Sequence, residues 1–109
     1  MRAVKTHDYA AQRRETVETF RDMPKETVLP AVSDVDFLFF AEETDADWAG
    51  LERVLTELGF RCSRDDDLLV ARCGPMPVTA VAVWEKERIA TEVALRFEFY
   101  PDGWDLGSD

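Results

Sequence analysis

The 109-residue sequence predicts an α+β domain, a four-stranded antiparallel sheet with two helices on one face, preceded by an N-terminal helix. Three observations carry that expectation. Val35-Asp36-Phe37-Leu38-Phe39-Phe40 is an apolar run of strand length, and its four large side chains in a row predict a central strand buried on both faces. Trp48, Leu51, Val54, Leu55 and Leu58 recur at helical spacing. Near the end, Phe97, Phe99 and the intervening Glu98 and Tyr100 alternate as a half-buried strand does.

In chain order, residues 6–23 read as a polar helix capped by Thr6 or Asp8, whose side-chain oxygens can accept from free backbone N–H groups. Its apolar stripe is thin: Tyr9, Val17, Phe20 and Ala10. Pro24 ends it, and a connector containing Pro30 runs to Ser33, so residues 1–33 form a helix and linker ahead of a domain spanning 34–109. The strand over Asp34–Ala41 follows. Thr44 or Asp45 is the expected cap of the next helix, and Gly59 its C-terminal stop, because glycine enters the left-handed region without steric cost. Phe60–Arg64 and Leu68–Cys73 flank Asp65-Asp66-Asp67 and read as a hairpin. Gly74-Pro75-Met76-Pro77 is expected to break the chain.

Val78–Trp84 is rich in β-branched residues, but Glu85-Lys86-Glu87-Arg88 favours a helix over about Thr79–Leu95, capped by Thr79. That helix would put Glu85, Arg88 and Glu92 on one face and Ala82, Ile89, Ala90, Val93 and Ala94 on the other. The final strand then ends at a Pro101-Asp102-Gly103 turn that delivers Trp104. The order strand, helix, strand, strand, helix, strand gives the ferredoxin-like arrangement, with the first and third strands central.

Composition narrows the function. The formal charge of −10 argues against nucleic-acid binding and anionic membranes, and it suits either a basic partner or simple solubility. With no apolar segment after Met1-Arg2-Ala3-Val4-Lys5 and no run near the ~20 apolar residues of a membrane helix, a cytoplasmic protein is expected. Cys62 and Cys73 would then be reduced thiols acting as small buried hydrophobes, and without nearby histidines they make no zinc site. His7, the only histidine, has no nucleophile beside it, and there is no glycine-rich phosphate loop. Asp65-Asp66-Asp67 lacks the spacing of a calcium loop. No catalytic residue, metal or cofactor is therefore expected.

The ordered elements, the Leu58-Gly59-Phe60 helix end and the closing Tyr100-Pro101-Asp102-Gly103-Trp104 together resemble the regulator of ribonuclease activity B (RraB-like) family, over roughly residues 34–105. Members of that family typically close on Tyr-Asp-Gly-Trp; here Pro101 is inserted, and Glu98-Phe99 stands where glycines are usual. The resemblance implies a small acidic regulator that binds ribonuclease E and lowers its activity without an active site of its own.

The candidate partner-binding residues are Tyr100, Asp102 and Trp104, as an aromatic–acid patch, with Glu42, Glu43, Asp45, Asp65, Asp66 and Asp67 as acidic loops facing a basic segment. Each has a plainer reading. Trp104 and Trp48 are the kind of residue that closes a core, and acid runs in so acidic a chain are commonly solvated surface. A second functional expectation is a ferredoxin-like module that dimerises or holds a small molecule on its open sheet face. On either expectation the protein is a monomer or weak dimer.

Overall fold

In the computed structural model, residues 7–107 are described; the Thr6 cap and the Met1–Lys5 segment lie outside that range. The elements are α1 (Tyr9–Arg21), β1 (Val32–Ala41), α2 (Trp48–Glu57), β2 (Arg61–Asp65), β3 (Leu68–Pro77), α3 (Ala80–Arg96) and β4 (Phe99–Leu106). The four strands form one antiparallel sheet in the order β2-β3-β1-β4. The two apolar runs thus occupy the centre, as expected of the first and third strands.

Alternation along β1 divides the sheet into a covered and an open face. Val35, Phe37 and Phe39 are buried among Leu69, Ala71 and Phe99 of the neighbouring strands, under Leu51 and Leu55 of α2 and Val83, Ala90 and Ala94 of α3. Leu38 and Phe40, on the other face, are only half-buried. The expectation of burial on both faces of this strand is therefore corrected. Both helices lie on one side, so the large residues that alternate with the core set stay at the open surface.

The helix ends follow from local chemistry. Asp8, Asp47 and Thr79 cap α1, α2 and α3, each side-chain oxygen accepting from the backbone N–H three residues on. Asp47 takes the role expected of Thr44 or Asp45, because the loop after β1 runs further before the first helical turn. Leu58 closes α2 and is half-exposed, off the core stripe, and Gly59 follows with φ of +99°.

Two stretches expected to interrupt strands lie inside them. Gly74-Pro75 falls within β3, where the register against β1 slips between Ser33 and Val35. Pro101-Asp102-Gly103 falls within β4, where it slips between Phe37 and Phe39. Each is a bulge, in which an extra residue is accommodated without ending the pairing. The prolines are tolerated because no strand needs their missing N–H. β4 is an edge strand, and β2 is too short to reach beyond Arg72 on β3. A third boundary also moves: Arg96 is the last residue of α3, Phe97 its cap, and Glu98 turns the chain at φ of +62°, so β4 begins only at Phe99.

Helix α1 docks on α3 through a stripe that apolar periodicity could not reveal. Its fully covered residues are Gln12 and Thr16, while Tyr9, Val17 and Phe20 are partly buried and Ala10 is exposed. The Thr16 hydroxyl and the Gln12 amide donate to the two carboxylate oxygens of Glu87, and the same amide donates to Thr91 Oγ1 at 3.0 Å. His7 Nε2 lies 2.7 Å from Gln12 Oε1. At the far end Phe20 stacks on Trp104 with ring centroids 5.3 Å apart. Glu87, which reads as part of a solvated charge run, is only 4% exposed, and desolvation pushes its carboxyl above the ordinary value.

Candidate functional site

Strand register brings two of the acidic loops together. Phe40 of β1 pairs with Leu68 of β3, which pairs in turn with Asp65 of β2. The loop carrying Glu42, Glu43 and Asp45 therefore emerges from the same end of the sheet as the Asp65-Asp66-Asp67 turn. Asp66 holds that two-residue turn at φ of +57°, a conformation aspartate tolerates better than most side chains. All six carboxylates are on exposed residues, and among the described residues none has a side-chain hydrogen bond or ion pair.

Beside this acidic rim the open face is apolar. Tyr100 of β4 pairs with Phe40, their rings 5.8 Å apart, and Leu38 pairs with Val70. Leu38, Phe40, Leu68, Val70 and Tyr100 thus share one half-exposed strip with no helix over it. The other end of the same face is ionic and already paired. Arg72 grips Asp36 with two hydrogen bonds of 2.7 and 3.1 Å, and Arg61 lies 3.0 Å from Asp34. Asp34 and Asp36 are thus matched by arginines at that end, whereas the rim carboxylates at the other end are not.

The structure separates the remaining candidates from this cluster. Asp102 is exposed in the β4 bulge. Trp104 pairs with Phe37 on the covered face and stacks on Phe20, so its ring fastens α1 and does not join Tyr100 in a surface patch. Trp48 also turns inward: it meets Phe99 edge-on at 5.0 Å, and the Arg64 guanidinium lies 5.0 Å above its ring, held there by Glu52 at 2.7 Å.

The two cysteines are free and partly buried, and burial pushes both thiols upward, so they are protonated at neutral pH. Among the described residues no group of three or more His, Cys, Asp or Glu side chains is placed to hold a metal, and no helix is long and apolar enough to cross a membrane. Sequence reasoning named Tyr100 and an open sheet face but missed Leu38 and Phe40 as part of that face, since both were assigned to a core on both sides of β1. It also missed Glu87, for which nothing in an apolar-spacing pattern gives a signal. Compared with known proteins, the chain matches no family model and no curated protein.

Proposed function

We propose that this protein is a non-catalytic acidic regulator that binds a basic segment of an RNA-processing enzyme of the ribonuclease E kind and lowers RNA cleavage. The reading rests on the resemblance carried by Tyr100-Pro101-Asp102-Gly103-Trp104 and on the net charge of −10. The observation that carries it furthest is the uncompensated acidic rim beside the exposed apolar strip. A segment that normally contacts phosphates offers Lys and Arg to such carboxylates, and its apolar residues can seat on Leu38, Phe40 and Tyr100. Carboxylates on the segment would then exclude RNA from it.

The test is a titration of a ribonuclease E RNA-binding segment by calorimetry at low and high salt, paired with an RNA-cleavage assay. Affinity is expected to fall as salt rises, because exposed charges are screened beyond about 10 Å at 0.1 M ionic strength. Replacing Asp65, Asp66 and Asp67 by Asn is expected to weaken binding about tenfold, since each exposed charge contributes roughly 0–1 kcal/mol. Binding that ignores both salt and these substitutions would refute the electrostatic account.

The apolar strip also favours a second reading. The fold is then a ferredoxin-like module, proposed here on the element order with β1 and β3 central, and its open face pairs two copies or holds a small molecule. Light scattering across a concentration series distinguishes the two: a dimer lost on Phe40→Ser would favour this second reading.

A further inference from the structure

A cleft of about 450 Å³ runs between α1 and the edge strand β4, and a second lobe of about 250 Å³ continues it toward the start of α1. Glu87, Glu15 and Gly103 line both lobes, so the buried carboxylate sits where the two meet. Met23, Leu29 and Trp104 supply apolar walls to the larger lobe. Among the described residues that line the cleft there is no lysine or arginine, while Asp8 adds acid at the end of the smaller lobe. His7, in the smaller lobe, is the only ring that could carry positive charge.

We propose that this cleft binds a compact organic cation, an ammonium or guanidinium group on a short apolar stem, with Glu87 as its counter-charge and Trp104 as its wall. A carboxylate can accept about four hydrogen bonds. Here one oxygen takes the Thr16 hydroxyl and the other takes only a long 3.4 Å bond from Gln12, so acceptor capacity is left over. A buried carboxylate that merely fastened two helices would be costly to desolvate, and a neutral amide could fill that role. Open space on both sides of Glu87 leaves room for a partner that repays the desolvation. The ring of Trp104, already stacked on Phe20, presents an aromatic surface that suits a delocalised cation. An anion would meet Glu87 and Glu15 as like charges, and a neutral alcohol would gain a hydrogen bond from Glu87 without the charge attraction. The site lies on the helix-covered side of the molecule, away from the acidic rim of the sheet, and does not depend on the regulator reading.

The test uses the full-length protein labelled with ¹⁵N and titrated with n-butylguanidinium chloride, n-butylammonium chloride, n-butanol and sodium butyrate. The two cations are expected to give saturable shifts at the Gly103 amide, the Trp104 indole N–H and the Gln12 side-chain amide; butanol and butyrate are not. Glu87→Gln is expected to weaken cation binding about tenfold or more, as loss of a charge-assisted hydrogen bond does. Glu15→Gln, whose exposed side chain makes no hydrogen bond or ion pair among the described residues, is expected to weaken it about threefold while leaving the fold intact. Asp66→Asn, on the distant turn, should change nothing. If Glu87→Gln loosens α1, seen as loss of Phe20–Trp104 cross-peaks, the Glu15→Gln titration and the butanol control decide. An N-acetyl-Gly-Arg-Gly-amide arm separates the sources: equal binding assigns the site to a partner's side chain, and binding of the free cations alone assigns it to a small molecule. Equal affinity for butanol and the cations, shifts confined to the acidic end of the sheet, or full affinity in both charge variants would overturn the proposal.

Discussion

Glu87 shows how a single residue can be plain in the sequence and opaque in its role. It stands in Glu85-Lys86-Glu87-Arg88, a run whose composition favours helix and whose charge suggests solvent. The helix forms as expected, but its phase turns Glu87 under α1, where Thr16 and Gln12 meet it. Apolar periodicity is blind to such a contact, because both partners are polar and neither scores as core. The consequence is a specific pH dependence. Desolvation raises the folded-state carboxyl above its unfolded value, the Thr16 and Gln12 bonds pull it back in part, and Glu15 pushes it up further. A raised folded pKa means that the folded state holds its proton more tightly than the unfolded chain does. The associated stability is therefore complete below the unfolded value near 4.5 and is lost as pH rises through the raised folded value. Glu87→Gln lacks this penalty, so its unfolding free energy relative to the parent is expected to increase with pH across that window and to level off above it. Urea titrations from pH 4 to 8 measure this, and a pH-independent difference would show Glu87 to be solvated. Thr16→Val, which deletes the hydroxyl donor without changing shape, is expected to cost about 1–3 kcal/mol at pH 7.

At the scale of elements, α3 and the β2 arm of the hairpin were legible nearly to the residue, whereas α1 and α2 start two to three residues later than expected and β3 and β4 run through stretches read as breaks. Helix ends announce themselves through caps such as Thr79 and stops such as Gly59, which act within one turn. Proline and glycine in Gly74-Pro75 and Pro101-Asp102-Gly103 carry the same local message of interruption, but whether a strand ends or merely bulges depends on the strand alongside. β1 continues past both sites, so pairing resumes after the extra residue. The β4 bulge also settles where Trp104 points: with one residue absorbed, it pairs with Phe37 and faces the helices. The two glycines are expected to differ in cost. At Gly103, φ is +96° and an added Cβ meets nothing within 4 Å, so Gly103→Ala should cost only the backbone term, roughly 1–2 kcal/mol. At Gly74, φ is +129° and a Cβ would stand 2.9 Å from the Met76 nitrogen and 3.0 Å from the Ser33 carbonyl oxygen. Those neighbours are backbone and cannot step aside, so Gly74→Ala should be the more damaging. Denaturant midpoints for the two variants would test this order, and equal costs would mean that the contacts at Gly74 relax.

For the whole molecule, the telling feature is that one face of the sheet is covered and the other is not. A run of four large apolar residues, Phe37 to Phe40, cannot say by itself whether a second layer exists; only the position of both helices on one side decides it. Phe37 is fully buried and meets Phe60 edge-on at 6.3 Å, whereas Phe40 is half-buried and touches Tyr100 at the surface. Truncating a buried phenylalanine costs about 3–5 kcal/mol. Against a total stability of about 5–15 kcal/mol for a domain of this kind, Phe37→Ala should lower the melting temperature steeply or prevent folding. Phe40→Ala removes a ring that already meets water, so it should cost about 1 kcal/mol. The pair of variants separates a structural from a binding role for the strip. If the open face is there to be occupied, Phe40→Ala will keep its cooperative melt while losing affinity for the basic segment, or losing the dimer if two copies pair there. If it instead destabilises as much as Phe37→Ala, as judged by thermal and urea unfolding, the face is covered in solution by part of the chain itself. The acidic rim would then border a core, and its carboxylates would have no apolar surface beside them with which to recognise a partner.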